Sequence, residues 1–101
     1  MNPFIMIKHI VFFELKEENK EANASKMKSI LEELVGKIDE IVALEVGIDF
    51  SNTDASYDVA LYSEFKSKED LNTYAVHPLH VECVNFIKTV ISSRKVVDYE
   101  I

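Results

Sequence analysis

Two of the chain's three histidines and one of its four tyrosines fall in a single short run, Tyr74-Ala75-Val76-His77-Pro78-Leu79-His80. An imidazole that titrates near neutrality can remove a proton beside a carbonyl, and a phenol can hydrogen-bond the enolate oxygen that forms. His80 is therefore the candidate general base and Tyr74 its partner. A plainer reading stays open beside it: His80 bonds a backbone carbonyl at a helix start, and Tyr74 fills the gap between helix and sheet. His9 falls on the apolar face of its own segment, where it either lines the same pocket or sits in the core with both nitrogens satisfied. His77 reads as a helix N-cap positioned by Pro78. The i, i+3 spacing of His77 and His80 does not make a metal site by itself, because ligand count is the first requirement, so neither a metal nor a cofactor is assigned. Cys83, three residues past His80 in a Val-rich segment, reads as a small buried hydrophobe and not as a nucleophile.

These residues need elements to hold them. From Ile5 to Leu15 the odd positions (Ile5, Ile7, His9, Val11, Phe13, Leu15) are apolar apart from the histidine, and the even ones are mixed. That alternation predicts a strand packed on a core by its odd face. Met27, Ile30, Leu31, Leu34 and Ile38 then recur at helical spacing, predicting an amphipathic helix that ends near Gly36. A second strand is expected from Ile41 to Phe50, with Val42, Leu44, Val46, Ile48 and Phe50 on one buried face, and a third from Tyr57 to Phe65, the two joined as a hairpin across a polar turn. Ser67 with Asp70 resembles a capping box, opening a short helix that must stop before Pro78. Pro78 in turn suits the first turn of a third helix, whose stripe His80, Val84, Ile87, Ile91 carries His80 toward the core. A fourth strand is expected from Lys95 to Ile101.

The whole is one domain of 101 residues with a formal net charge of −7. Without a Lys/Arg cluster to offset that charge, nucleic acid and anionic membrane surfaces are not expected as partners. The apolar run Phe4 to Phe13 is too short to span a bilayer and is interrupted by Lys8 and His9. A single cysteine cannot form an internal disulfide, and no secretory leader is visible, so a cytoplasmic location is expected.

The order β-α-β-β-α-α-β, with right-handed crossovers, predicts an α+β, ferredoxin-like four-stranded antiparallel sheet with its helices on one face and the second helix split at Pro78. The other face would carry Met6, Ile10, Phe12, Ala60 and Tyr62, too apolar for water. A second copy packed sheet to sheet is the economical cover, so a homodimer is expected.

The segments Ile7-Lys8-His9-Ile10-Val11, Leu44-Glu45-Val46-Gly47, Tyr57-Asp58, Ser63-Glu64-Phe65, Tyr74 to Val81 and Val97-Asp98-Tyr99 together resemble the stress-responsive dimeric α/β-barrel (Dabb) domain. The resemblance spans essentially the whole chain, and the first-strand histidine combined with His-Pro-x-His carries most of its specificity. It implies a ferredoxin-like protomer and a dimer whose sheets close into a barrel. Most members of the family have no assigned reaction. One plant branch consists of polyketide cyclases that perform an intramolecular aldol-type condensation without a cofactor. By that resemblance Tyr74 and His80 are the catalytic pair, His9 lines the substrate pocket, and Val59 stands where the branch has a pocket histidine. Two functions follow as expectations: a stress-associated dimer with a small-molecule pocket and no assigned reaction, or a cyclase/lyase-type enzyme acting on a carbonyl compound.

Overall fold

The computed structural model describes residues 5–101; Phe4, the start of the apolar run, lies outside them. Strand β1 (Ile7–Leu15) is central, with β3 (Val59–Phe65) on one side and β4 (Ile91–Glu100) on the other, and β2 (Ala43–Ile48) pairs with the outer edge of β3. All pairings are antiparallel and the order is β2-β3-β1-β4. Helices α1 (Lys20–Glu32), α2 (Lys68–Val76) and α3 (Pro78–Val90) complete the expected element order.

Cross-strand partners share a face of a sheet, so the register sorts the side chains into two sets. One face carries the rows Leu44–Ser63–His9–Asp98, Val46–Leu61–Val11–Val96 and Ile48–Val59–Phe13–Arg94. Ile7, Val11, Phe13 and Leu15 of this face are buried together with Met27 and Leu31 of α1 and Ile87 of α3, which makes it the core side. The opposite face carries Ala43–Glu64–Lys8–Tyr99, Glu45–Tyr62–Ile10–Val97 and Gly47–Ala60–Phe12–Lys95. There Phe12, Val97 and Tyr99 are 41%, 54% and 42% exposed, forming the unpartnered apolar face that the alternation of β1 foretold.

Several boundaries differ from the sequence pattern. Helix α1 ends at Glu32, short of Gly36, which adopts φ +85° in the turns that follow. Leu34 and Ile38 remain buried although they leave the helix, because an apolar side chain on a turn can reach the same core. Strand β2 is shorter than the expected Ile41–Phe50, and its face is buried only at Val46, with Leu44 half-buried, Ile48 exposed and Phe50 almost fully so. The alternation has the right phase, but the helix layer does not extend over that end of the sheet. Strand β4 starts at Ile91, directly off α3, so Ile91, read as the end of a helical stripe, is the first residue of a strand.

Two local devices hold α1 and α2 in place. On α1, Lys28 Nζ donates to the Val46 carbonyl at 2.6 Å, and the Val46 N–H donates to Glu32 Oε2 at 3.1 Å. An i, i+4 ion pair thereby occupies outward backbone groups of an edge strand that would otherwise invite further pairing. The hydrogen bond from Lys28 chiefly holds the Glu32 carboxyl below its ordinary pKa. At the start of α2, the Asp70 N–H donates to Ser67 Oγ at 3.0 Å, the N-cap expected from the Ser67/Asp70 pair.

Candidate functional site

The break between α2 and α3 builds the site. Pro78 cannot continue α2, and His77 in extended conformation caps both helices. The Leu79 N–H donates to His77 Nδ1 at 3.1 Å, so His77 is the N-cap the spacing predicted. The corner returns α3 across the sheet and sets His80 one turn in, facing Tyr74 of α2.

Tyr74 is the largest of the fully buried side chains. Its ring centroid lies 4.2 Å from that of His80, 5.0 Å from Phe65 and 6.3 Å from His9. The phenol oxygen is buried and has no hydrogen-bond partner among the described residues. Buried hydroxyls are nearly always paired, and one left alone costs about 1–3 kcal/mol. Burial pushes the Tyr74 hydroxyl well above its ordinary pKa, so it is a proton-bearing donor at every physiological pH.

His80 Nδ1 lies 3.1 Å from the Ala75 carbonyl. A carbonyl only accepts, so Nδ1 carries the proton and the lone pair is on Nε2. Burial, opposed by that hydrogen bond, holds the His80 pKa below its ordinary value. The ring is therefore a neutral base near pH 7. Both readings of His80 from the sequence apply at once, since the carbonyl bond fixes the tautomer that proton abstraction would need.

His9 sits on β1 opposite Asp98 of β4, and its Nδ1–H donates to Asp98 Oδ1. On the other side Ser63, fully buried, donates to the His9 carbonyl at 3.2 Å. The His9 side chain is thus held by β4 and its backbone by β3. Among the described residues its second nitrogen has no hydrogen-bond partner.

His9, Tyr74 and His80 line one cavity of about 430 Å³ between the sheet and the α2–α3 corner, within the range of small-molecule pockets. Val84, Ile87 and Ile91 of the predicted stripe line it too. Val59 does not. It is buried beside Phe13 in the core row and borders a separate depression near Phe12, Ile48 and Phe50, while Leu61, two residues along β3, faces the cavity. A substrate contact at Val59 is therefore not supplied by this cavity, whose lining from β3 is Leu61. Asp98, Arg94 and Lys88 also line the cavity and were not singled out from the sequence. The register of β4 places Arg94 and Asp98, and its start at Ile91 was hidden within an apparent helical stripe, while Lys88 comes from the last turn of α3.

Cys83 lies away from this cavity, 3.6 Å from the Ile30 carbonyl of α1, and burial raises its pKa. It is the buried small hydrophobe the sequence suggested, with no His80 pairing. Among the described residues no group of three or more His, Cys, Asp or Glu could hold a metal, and no helix is long and apolar enough to cross a membrane.

Comparison with known proteins gives the site its context. A crystal structure of a dimeric, ferredoxin-like protein of unknown function from Bacteroides fragilis superposes with TM-score 0.87 at 37% identity, covering 95% of this chain and 96% of that one. A hydroxynitrile lyase from Passiflora edulis has the same fold, with TM-score 0.84, 20% identity, and coverage of 99% of this chain and 95% of that one. The stress-response A/B barrel domain-containing protein DABB1 of Arabidopsis thaliana is 30% identical over 98 residues, 93% of this chain and 46% of that protein. The chain spans less than half the length of the curated relatives it matches. The model of the stress responsive A/B barrel domain, Dabb, matches residues 7–101. A match over that span, with a ferredoxin-like sheet and a histidine-lined helix corner, makes this chain a member of the stress responsive A/B barrel domain (Dabb) family.

Proposed function

We propose that this chain works as a homodimer, paired through its open sheet faces, that binds a small carbonyl compound in the cavity at the α2–α3 corner. The dimer is supported by the row of exposed Phe12, Val97 and Tyr99 on one face and by the dimeric description of solved relatives. Light scattering at micromolar concentration should return the mass of two chains. A monomer there would remove the sheet-to-sheet arrangement. The buried free thiol of Cys83 fits a reducing compartment, and the cytoplasm is the proposed location.

The observation that carries the binding reading is the unpartnered Tyr74 hydroxyl beside a neutral His80 at the same cavity. A carbonyl oxygen is the acceptor that hydroxyl lacks. A thermal-shift screen against 1,3-diketones and phenolic ketones, with His80→Ala beside the wild type, should give a saturable rise of several degrees that the variant loses. No rise with any compound, together with a lower melting temperature for His80→Ala, would make these residues packing devices.

The same observation favours a second reading, in which the bound compound is also converted without a cofactor. His80 Nε2 takes a proton from the carbon next to the carbonyl, and the electron pair moves onto the carbonyl oxygen, where Tyr74 donates a hydrogen bond. The enolate carbon then attacks a second carbonyl of the same molecule. A carbon–carbon bond forms, and the proton on His80 returns to the new alkoxide. His9 is the orienting contact. The lyase named among the structural neighbours is consistent with proton transfer at such a corner.

A further inference from the structure

The cavity gathers two cationic side chains against one carboxylate, in a chain that is acidic as a whole. The chain as a whole carries a formal −7. Among the cavity's side chains the ionised groups are Lys88, Arg94 and Asp98, and the carboxylate of Asp98 is already engaged by His9 Nδ1. Lys88 comes from the last turn of α3, and Arg94 lies on the core-side face of β4, opposite Phe13. The two therefore approach the same mouth from the helix layer and from the sheet. Four residues along a strand separate Arg94 from Asp98, roughly 13 Å of backbone, too far for the carboxylate to neutralise it directly. Among the described residues neither Lys88 nor Arg94 joins any of the ion pairs or side-chain hydrogen bonds. Lys8, Lys20 and Lys28 do find carboxylates, Glu64, Glu17 and Glu32, whereas other lysines such as Lys37 and Lys66 are exposed and do not line this cavity. An unclaimed guanidinium and ammonium at a pocket walled largely by apolar side chains form a device for an anion.

We infer that the cavity takes a carbonyl compound with an apolar body and a carboxylate, the body lying against Val11, Leu61 and Ile87 and the carboxylate resting on Arg94 with Lys88 beside it. The inference rests on the small-molecule reading above and names the ligand's charge. One planar guanidinium with a single neighbouring cation matches the two oxygens of a carboxylate.

The test compares binding of 3-phenylpropanoate, its neutral isostere 3-phenylpropanamide and phenyl phosphate to the whole dimer, by calorimetry or NMR titration. The acid should bind wild type about tenfold tighter than the amide, as expected for a charge-assisted contact, and raised ionic strength should weaken the acid alone. Arg94→Ala should bring acid and amide to the same affinity, erasing the preference. Arg94→Lys should recover only part of it, because the paired donors are lost. Equal binding of acid and amide would overturn the carboxylate assignment and leave the pocket reading standing. Tighter binding of phenyl phosphate, or an acid preference that survives Arg94→Ala, would overturn it as well. Absence of binding by all three would overturn it together with the pocket.

Discussion

Replacing His80 with glutamine should lower turnover of an accepted carbonyl compound by about 10²- to 10⁴-fold, the usual worth of a positioned general base, with the fold retained. Glutamine has a comparable size and can still donate to the Ala75 carbonyl, so the loss would report on the basic nitrogen and not on packing. The pH profile gives an independent check. Because burial holds the His80 pKa below its ordinary 6.5, the neutral base dominates at pH 7 and the rate should be flat there, falling on an acid limb centred below that value. The same shift enters stability. Between the depressed folded value and the unfolded one the unfolded chain binds more protons, so stability rises with pH across that window. This contribution is complete above the unfolded pKa and is lost as pH falls through the folded one. An acid limb that persists in His80→Gln, or turnover unchanged by the substitution, would remove His80 from the chemistry.

Tyr74→Phe should raise stability and lower activity together, which no purely structural tyrosine would do. The hydroxyl is buried without a partner, so its removal relieves a desolvation cost of about 1–3 kcal/mol. A gain of 1 kcal/mol in a domain of this size is a rise in Tm of about 4–8 °C. Loss of the one donor aimed at the developing enolate should meanwhile lower turnover by about 10²- to 10³-fold. Tyr74→Ala provides the contrast. Its ring packs against Phe65, His80 and His9, and removing it should cost about 3–5 kcal/mol by leaving a void. Calorimetry on both variants checks the pair. A destabilised Tyr74→Phe would mean that the hydroxyl is satisfied in the native protein, and a Tyr74→Phe with unchanged ligand affinity would make the residue a filler of space.

The sheet was legible where one face of a strand is dry. Ile7, Val11, Phe13 and Leu15 are all buried as the alternation of β1 required, because a period of two can satisfy only one side of a sheet. The helix corner was legible because Pro78 and the Ser67 cap act through local sterics and hydrogen bonds within three or four residues. Strand β2 was misjudged at Ile48 and Phe50 for a different reason. Alternation records which way a side chain points and not whether another layer lies above it.

The sequence by itself determined the element order, the ferredoxin-like arrangement and the apolar open face, since each follows from short-range pattern and chain chirality, while the pairing of Tyr74 with His80 across the Pro78 break was implied by the family resemblance. Only the tertiary structure decided that Asp98 holds His9, that Leu61 and not Val59 faces the cavity, and that Arg94 and Lys88 stand unpaired at its mouth. Apart from the position of Lys88 on α3, those facts depend on strand register and on where β4 begins, which are set by pairings such as that of His9 with Asp98, 89 positions apart. No local pattern encodes such a pairing, because it is chosen by the packing of the whole core.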